Sequence, residues 1–197
     1  DNLSYEEAAA VESIGNIFQG TNIISFNEFK YFTSVKRIEQ QAFRGCKQLR
    51  RITLPENLEE IGSLAFYETS ALNELFIPAS VSLIEDMPIN YCFAMSKLTV
   101  AEDNDVYDSR NGCNAIIHTE TNRLIAGCNT TVIPDGIRTI AVAAFGASRI
   151  ETVNIPNSVS VIEDVAFHRC NNLKTVTIGN GVKEWGEQAF LYASGDY

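Results

Sequence analysis

An Ala-Phe pair at Ala42-Phe43 returns 23 residues later at Ala65-Phe66, and the interval between them recurs through most of the chain. After each Ala-Phe comes an aliphatic L-x-x-I-x-L run, and then a second aliphatic pair spaced as V-x-x-I. The leading aliphatics are Leu49, Leu72, Met95, Ile150 and Leu173, followed by Ile52, Leu75, Leu98, Val153 and Val176, and then by Leu54, Ile77, Val100, Ile155 and Ile178. Pro55, Pro78 and Pro156 close three of these runs. The second pair recurs as Leu58/Ile61, Val81/Ile84, Ile137/Ile140, Val159/Ile162 and Val182/Trp185, and the phenylalanine as Phe145, Phe167 and Phe190. A unit this short cannot bury its own aliphatic ridge. Stacked copies align the ridges into one core and complete each other's backbone hydrogen bonds.

Periods of 20–29 residues with L-x-x-L-x-L carry the leucine-rich-repeat signature. Alternation at the end of each run predicts a strand with one buried face, and V-x-x-I predicts a shorter strand on another side. Proline between them fixes φ and removes a donor, as suits a corner. The expected fold is a β-rich, right-handed leucine-rich-repeat solenoid of short strands with few short helices. It forms one domain over 1–197: an N-terminal cap and degenerate repeats over 1–41, regular repeats over 42–100, a loop plus β-hairpin insert over 101–131, and regular repeats with the C-terminal end over 132–197.

Ser4 and Glu7 stand in the relation of a capping box before an alanine-rich run, which predicts a short helix over Tyr5–Ala10 covering the first coil. Residues 25–32 admit two readings. Strict 23-residue register puts Phe26, Phe29 and Tyr31 on the positions of Leu49, Ile52 and Leu54, favouring a strand. Ser25 and Glu28 form a second capping box, favouring a short helix through Phe32, and the helix is the preferred expectation. From Ala101 to Thr131 the period breaks: AEDNDVYDSRNG reads as a loop, and CNAIIHTETNRLIAGC as a hairpin centred on Glu120-Thr121. Folding it about that centre sets Ala115 opposite Ala126, Ile116 opposite Ile125, Ile117 opposite Leu124 and Cys113 opposite Cys128. A Cys113–Cys128 disulfide is one expectation, a pair of core thiols the other.

Cys46, Cys92 and Cys170 share one repeat position, filled elsewhere by Thr69, Ser148 and Ala193, so that position is a small buried slot. Cys46 and Cys92 lie two coils apart, about 10 Å at ~4.8 Å per coil, beyond disulfide reach. No metal or cofactor is expected. Asp103, Asp105 and Asp108 alternate in a polar loop but lack the full ligand spacing of a Ca²⁺ site, and Glu7 is used by the helix cap. His118 and His168 belong to no HExxH, GxSxG or Cys-His arrangement, so no catalytic residues are expected. The formal net charge of −10 argues against nucleic acid, and no apolar run is long enough to span a bilayer.

The combination of Ala-Phe, Cys, L-x-x-V-x-I-P and S-V-x-x-I resembles the BspA-like leucine-rich-repeat proteins of bacterial cell surfaces. N104-x-x-Y107-x-S109 leading into the hairpin resembles a module between repeats in such proteins from Bacteroides and relatives, and LSYEEAAAV resembles their N-terminal segment. Departures are Ile89-Asn90 in place of Ala-Phe, Trp185 for Ile and Ala193 for Cys. The resemblance implies a secreted or surface-anchored protein that binds other proteins or host matrix, without catalysis.

The residues beside each strand's central aliphatic point away from the core. Arg51 and Thr53, Glu74 and Phe76, Lys97 and Thr99, Thr152 and Asn154, and Thr175 and Thr177 therefore form two ladders on one concave face, the candidate ligand surface. Thr is an ordinary solvent-facing strand residue. Phe76, an exposed aromatic among charges, is the type of group found at interface centres. The expected function is a non-enzymatic protein-binding or adhesion module, a monomer that recognises host matrix or a bacterial surface protein. The alternative is a structural spacer with no ligand of its own.

Overall fold

The computed structural model describes residues 3–193, wound as a β-solenoid of about seven turns. Each turn has three sides: a first sheet built from the L-x-x-I-x-L runs, a second sheet from the V-x-x-I pairs, and a turn side carrying Ala-Phe. Helix Tyr5–Ala10 opens the chain with both halves of its capping box formed between Ser4 and Glu7. It is held to the first coil by the Tyr5 ring, whose centroid lies 4.4 Å from that of Tyr31.

Residues 25–32 combine the two expectations. Ser25–Phe26 is a strand paired in parallel with Arg51–Ile52, and Asn27–Tyr31 is a 3₁₀ turn. The Ser25/Glu28 capping box does not form: the residue capping the turn is Phe26, with no side-chain cap bond. Phe26 pairs with Ile52, so the first coil is three residues longer than the 23-residue period. The extra residues bury Phe29 completely, in a cluster where its ring lies 5.1 Å from Phe26, 5.5 Å from Phe32 and 5.8 Å from Phe43. Aromatic burial of ~150–250 Å² per ring outweighs strict register here.

The regular repeats stack as expected. On the first sheet Glu74–Ile77 pairs with Lys97–Val100 and Thr152–Ile155 with Thr175–Ile178, all parallel. On the second, Arg37–Ile38, Glu60–Ile61 and Leu83–Ile84 form one ladder. On the turn side Phe43 N–H donates to the Ala65 carbonyl at 2.8 Å and Phe167 N–H to that of Ala189 at 2.7 Å. The rings stack in a column, with centroids 5.3 Å apart for Phe43–Phe66, 4.8 Å for Phe145–Phe167 and 4.7 Å for Phe167–Phe190.

The small slot after each phenylalanine has a definite chemistry. In four coils its side chain donates to the carbonyl of the preceding coil's phenylalanine: Cys46 to Phe18 at 2.9 Å, Thr69 to Phe43 at 3.0 Å, Cys92 to Phe66 at 3.1 Å and Cys170 to Phe145 at 3.1 Å. A thiol and a hydroxyl are interchangeable there because both are compact donors.

The insert departs from the sequence reading in three ways. First, the period does not break at Ala101. Asn104 and Tyr107 lie one period after Val81 and Ile84, and they occupy the next V-x-x-I level. Asn104 Nδ2 donates to the carbonyls of Pro78 and Val81, both at 2.9 Å, and Tyr107 Oη accepts the Ile84 N–H at 2.9 Å. Second, the hairpin is no surface excursion. Strands Tyr107–Asp108, Ala115–His118, Arg123–Gly127 and Thr139–Ile140 lie side by side in the second sheet, with Ala115–His118 antiparallel to both neighbours. The hairpin is buried on both faces. Ile116, Ala126 and Cys128 pack with the upstream core, and Ala115, Ile117 and Leu124 with the downstream one. Double-sided burial accounts for its consecutive apolar residues.

Third, the register is shifted. Leu124 lies opposite Ile117 and Arg123 opposite His118, but Ala126 faces Ile116 and Gly127 faces Ala115, with a bulge at Ile125. One extra residue on one strand carries every later side chain past its expected partner. Cys128 therefore stands at Asn114, its Sγ 3.4 Å from that residue's carbonyl oxygen, and Cys113 faces the opposite core. The expected Cys113–Cys128 disulfide is not formed: both are buried free thiols, like Cys46, Cys92 and Cys170.

The turn side bypasses the insert. Tyr91 N–H donates to the Gly146 carbonyl at 3.3 Å, and buried Asn90 donates from Nδ2 to the Ala143 carbonyl at 2.8 Å. Pro88-Ile89, and not Ile89-Asn90 as the sequence suggested, takes the place of Ala-Phe at this level, so Ile89 fills the phenylalanine column and Asn90 beside it clamps the turn sides of the two halves together. Close approach requires glycine at two facing positions. A Cβ on Gly146 would sit 2.0 Å from Asn90 Nδ2, and one on Gly127 would sit 2.2 Å from the Phe145 ring. Between Leu83–Ile84 and Thr139–Ile140 the second sheet holds three strands, while the turn side passes directly from the Asn90 level to the Phe145 level. At ~4.8 Å per strand the hairpin is a wedge that bends the solenoid, with the turn side inside the bend.

Candidate functional site

The first-sheet face carries the candidate residues. Arg51, Thr53, Glu74, Phe76, Lys97, Thr152, Asn154, Thr175 and Thr177 are exposed, and Thr99 is half-buried. Their projection follows from alternation, because Ile52, Leu75, Ile77, Leu98, Val153 and Ile155 point into the core on the same strands. In register, Glu74 lies beside Lys97 and Phe76 beside Thr99. Arg51, Thr53, Glu74, Phe76, Lys97 and Thr99 line one groove of about 330 Å³, with Asn27 at its end and Ile52, Leu54 and Leu75 contributing to its floor. Thr152, Asn154, Thr175 and Thr177 lie on the other side of the wedge and outside this groove.

Sequence reasoning missed one level of the face. Cys128 occupies the leading aliphatic position and Thr131 a core position, with only 7% of its surface exposed. The Ile133-Pro134 pair corresponds to Ile77-Pro78, and counting back one residue from it sets Val132 in the column of Phe76. Val132 is 71% exposed and Phe76 55%. Thr130 fills the matching place in the column of Lys97, its hydroxyl donating to the Ser96 carbonyl at 2.5 Å. Asn129 secures this level to both neighbours, donating from Nδ2 to the Phe93 carbonyl at 2.9 Å and accepting the Arg149 N–H at 2.7 Å.

Ion pairs run along the second sheet and also join Lys174 to Glu151 at 2.9 Å just before the downstream first-sheet strands, but they leave out the groove. Along the second sheet Arg37 pairs with Glu60 and with Glu85 at 2.6 Å, Lys36 with Glu59 at 3.0 Å, and Arg123 with Glu163 at 2.6 Å. The Arg37 guanidinium holds the Glu85 carboxyl below its ordinary range. Burial works against the Glu163 carboxylate, but hydrogen bonds from Arg123 and the Val142 N–H outweigh it and bring it lower as well. Arg51, Glu74 and Lys97, among the described residues, form no ion pair or hydrogen bond through their side chains.

Other titratable groups are committed to structure. Burial pushes the Cys92 thiol up to about 12 and the Cys170 thiol up to about 11, the reverse of what a nucleophilic thiolate needs. His118 bonds the Thr121 hydroxyl through Nδ1 at 2.9 Å, and His168 lies against the Tyr192 ring. Asp108 grips Arg110 through both carboxylate oxygens and accepts from Thr119. Among the described residues no group of three or more His, Cys, Asp or Glu side chains is placed to hold a metal ion. No helix among them is long and apolar enough to cross a membrane.

A parallel solenoid with 23-residue coils and a variable outer strand face defines a leucine-rich-repeat protein. The model of the BspA-type leucine-rich repeat region matches residues 12–113 and 116–195 in six copies, and the chain belongs to that family. Among solved structures it is similar to a leucine-rich cell surface protein from Faecalibacterium prausnitzii, with 26% identity and a TM-score of 0.69 over 86% of this chain and 48% of that one. It is also similar in fold to the pneumococcal vaccine antigen PcpA, with 21% identity and a TM-score of 0.68 over 77% of this chain and 39% of that one. The chain therefore spans about half the length of the first of these relatives, and less of the second. No curated protein matches it. A family of bacterial surface proteins built on this fold suggests a protein-interaction or adhesion module.

Proposed function

We propose that this domain is a non-catalytic protein-binding or adhesion module of a secreted or surface-anchored bacterial protein, and that it holds its partner on the first-sheet face. The observation that carries the reading is the groove around Phe76: an aromatic ring left 55% exposed beside three charged side chains that the fold leaves unpaired. On the second sheet, by contrast, Arg37 and Arg123 are neutralised by carboxylates of neighbouring coils. A large exposed aromatic flanked by available charge is the composition of an interface centre. Family membership and likeness to a cell surface protein support the extracellular setting.

The test is capture of host-matrix and bacterial surface proteins on the immobilised domain, followed by the same measurement with a Phe76→Ala/Lys97→Glu variant. Interface hot spots cost roughly 2–4 kcal/mol, so captured partners should dissociate at least tenfold faster from the variant. Unchanged capture by a variant with an unchanged melting curve would refute the assignment of this face, and no capture by the parent domain would leave a spacer role.

A further inference from the structure

The groove has a charge character opposite to that of the chain, and this bears on its occupant. The chain carries 25 acidic and 15 basic residues. Most of its cations are occupied. Lys36, Arg37, Arg110, Arg123 and Lys174 make ion pairs, and Lys30, Arg44, Arg149 and Arg169 lie over aromatic rings. Among the described residues Lys47, Arg50, Arg51, Lys97, Arg138 and Lys183 have neither kind of partner. Arg138 and Lys183 stand singly, each just before a second-sheet strand downstream of the wedge. The other four gather at or just before the start of first-sheet strands on the upstream side. Arg51 and Lys97 line the Phe76 groove, while Lys47 and Arg50, the latter next to Arg51 in sequence, line a second depression of about 390 Å³. Among the described residues Glu74 is the one carboxylate lining the groove. Of the other nearby acidic residues in sequence, Glu28 follows Asn27 at the end of the groove, and Glu56 and Glu102 follow the corners at the far ends of the strands.

We infer that the groove receives an acidic peptide segment bearing a large apolar side chain, whose carboxylates face Arg51, Lys97 and the Lys47/Arg50 edge while the apolar group packs on Phe76. This rests on the proposed role of the face. Complementary charge at a rim steers association and selects partners, and an acidic protein that keeps an unpaired basic edge beside an exposed ring presents that complementarity locally. The column supplies a second apolar step. Val132 stands two levels beyond Phe76 in the repeat order, past Thr99, and is likewise exposed. Val132 has no flat face for a sugar ring or base, so the pair fits a peptide better than an anionic polysaccharide or nucleic acid.

The test is selection of displayed random peptides of about twelve residues on the immobilised domain, with the enriched sequences then measured by fluorescence polarisation. Enriched peptides should carry net negative charge and a large apolar residue. They should bind at least tenfold more weakly to Phe76→Ser and to Arg51→Glu/Lys97→Glu, and several-fold more weakly when salt rises from about 50 to 300 mM. Circular-dichroism melts of these surface variants provide the folding control. Enrichment of neutral or basic peptides that are lost on Phe76→Ser would overturn the acidic preference while leaving the face as a binding site. Enriched peptides indifferent to Phe76→Ser and to Val132→Ser would overturn both. No enrichment over bare support, or binding of heparin fragments that depends on Arg51 and Lys97 but not on Phe76, would overturn the peptide as occupant.

Discussion

Asn90→Phe sets repeat logic against the structure. By repeat logic the substitution is conservative, because Asn90 stands where the preceding coil places the aromatic Tyr67, one residue after the phenylalanine column. Structurally it is damage. Asn90 is 7% exposed, donates to the Ala143 carbonyl at 2.8 Å, and faces Gly146 so closely that even a methyl group there would lie 2.0 Å from its amide nitrogen. The void beside it, bounded by Gly127, Phe145 and Gly146, amounts to about 10 Å³, room for one water and not for a ring. Loss of the hydrogen bond costs about 0.5–1.5 kcal/mol, since Ala143 keeps its bond from the Gly146 N–H at 2.8 Å. Forcing in the extra atoms costs about 1–3 kcal/mol, for a total of about 2–4 kcal/mol. In a domain of this size that lowers the melting temperature by about 5–15 °C. Asn90→Ala, which loses the bond without overpacking, should cost about 0.5–1.5 kcal/mol. Calorimetry on the three proteins measures both, and hydrogen exchange of the Tyr91 amide, which is bonded across the same seam, should quicken in each variant. A melting temperature for Asn90→Phe at or above that of the parent would refute the assignment of Asn90 as the clamp.

Two further outcomes follow from individual bonds. Thr69→Val removes the buried donor to the Phe43 carbonyl and should cost about 1 kcal/mol, whereas Thr69→Cys, which restores the donor that three other coils use, should melt close to the parent. Glu85 and Glu163 have folded-state pKa values below their ordinary 4.5, so the unfolded chain binds protons first as pH falls. Their contribution is complete above that ordinary value and is lost as pH falls through the lower folded values. Urea denaturation across that interval should show stability falling with acid, and Glu163→Gln should flatten the slope; an unaltered slope would show that the Arg123 pair does not couple to folding.

The regular coils were legible because their signal is redundant: a side chain at Leu49 is supported by Leu72, Met95, Ile150 and Leu173 in the same role. What escaped were places where a non-repeating residue does a repeating job. Asn104 and Tyr107 read as loop because they are polar, yet they hold the Val81/Ile84 level through hydrogen bonds that aliphatic residues cannot make. Cys128 and Thr131 concealed a first-sheet level, and with it Val132. The bulge at Ile125 has no marker in composition, and it alone decides that Cys113 and Cys128 face different cores. The small slot was recognisable from its residue types, but not as a donor site, since its acceptor is a carbonyl one coil away.

The same distinction divides the candidate face. Alternation along the strands identifies all ten outward residues alike, and on that basis Thr177 is as good a contact as Arg51. Three-dimensional placement separates them. Upstream of the wedge the face holds an exposed ring, three unpaired charges and a groove. Downstream it offers Thr152, Asn154, Thr175 and Thr177, short neutral side chains that lie outside that groove. Because the hairpin adds strands to the second sheet and the turn side skips a level, the first-sheet side is left with one intervening level, at Thr130 and Val132, which Asn129 ties to the coils on either side. Val132 therefore extends the upstream half, so that a partner anchored on Phe76 reaches the wedge before it meets the threonine ladder.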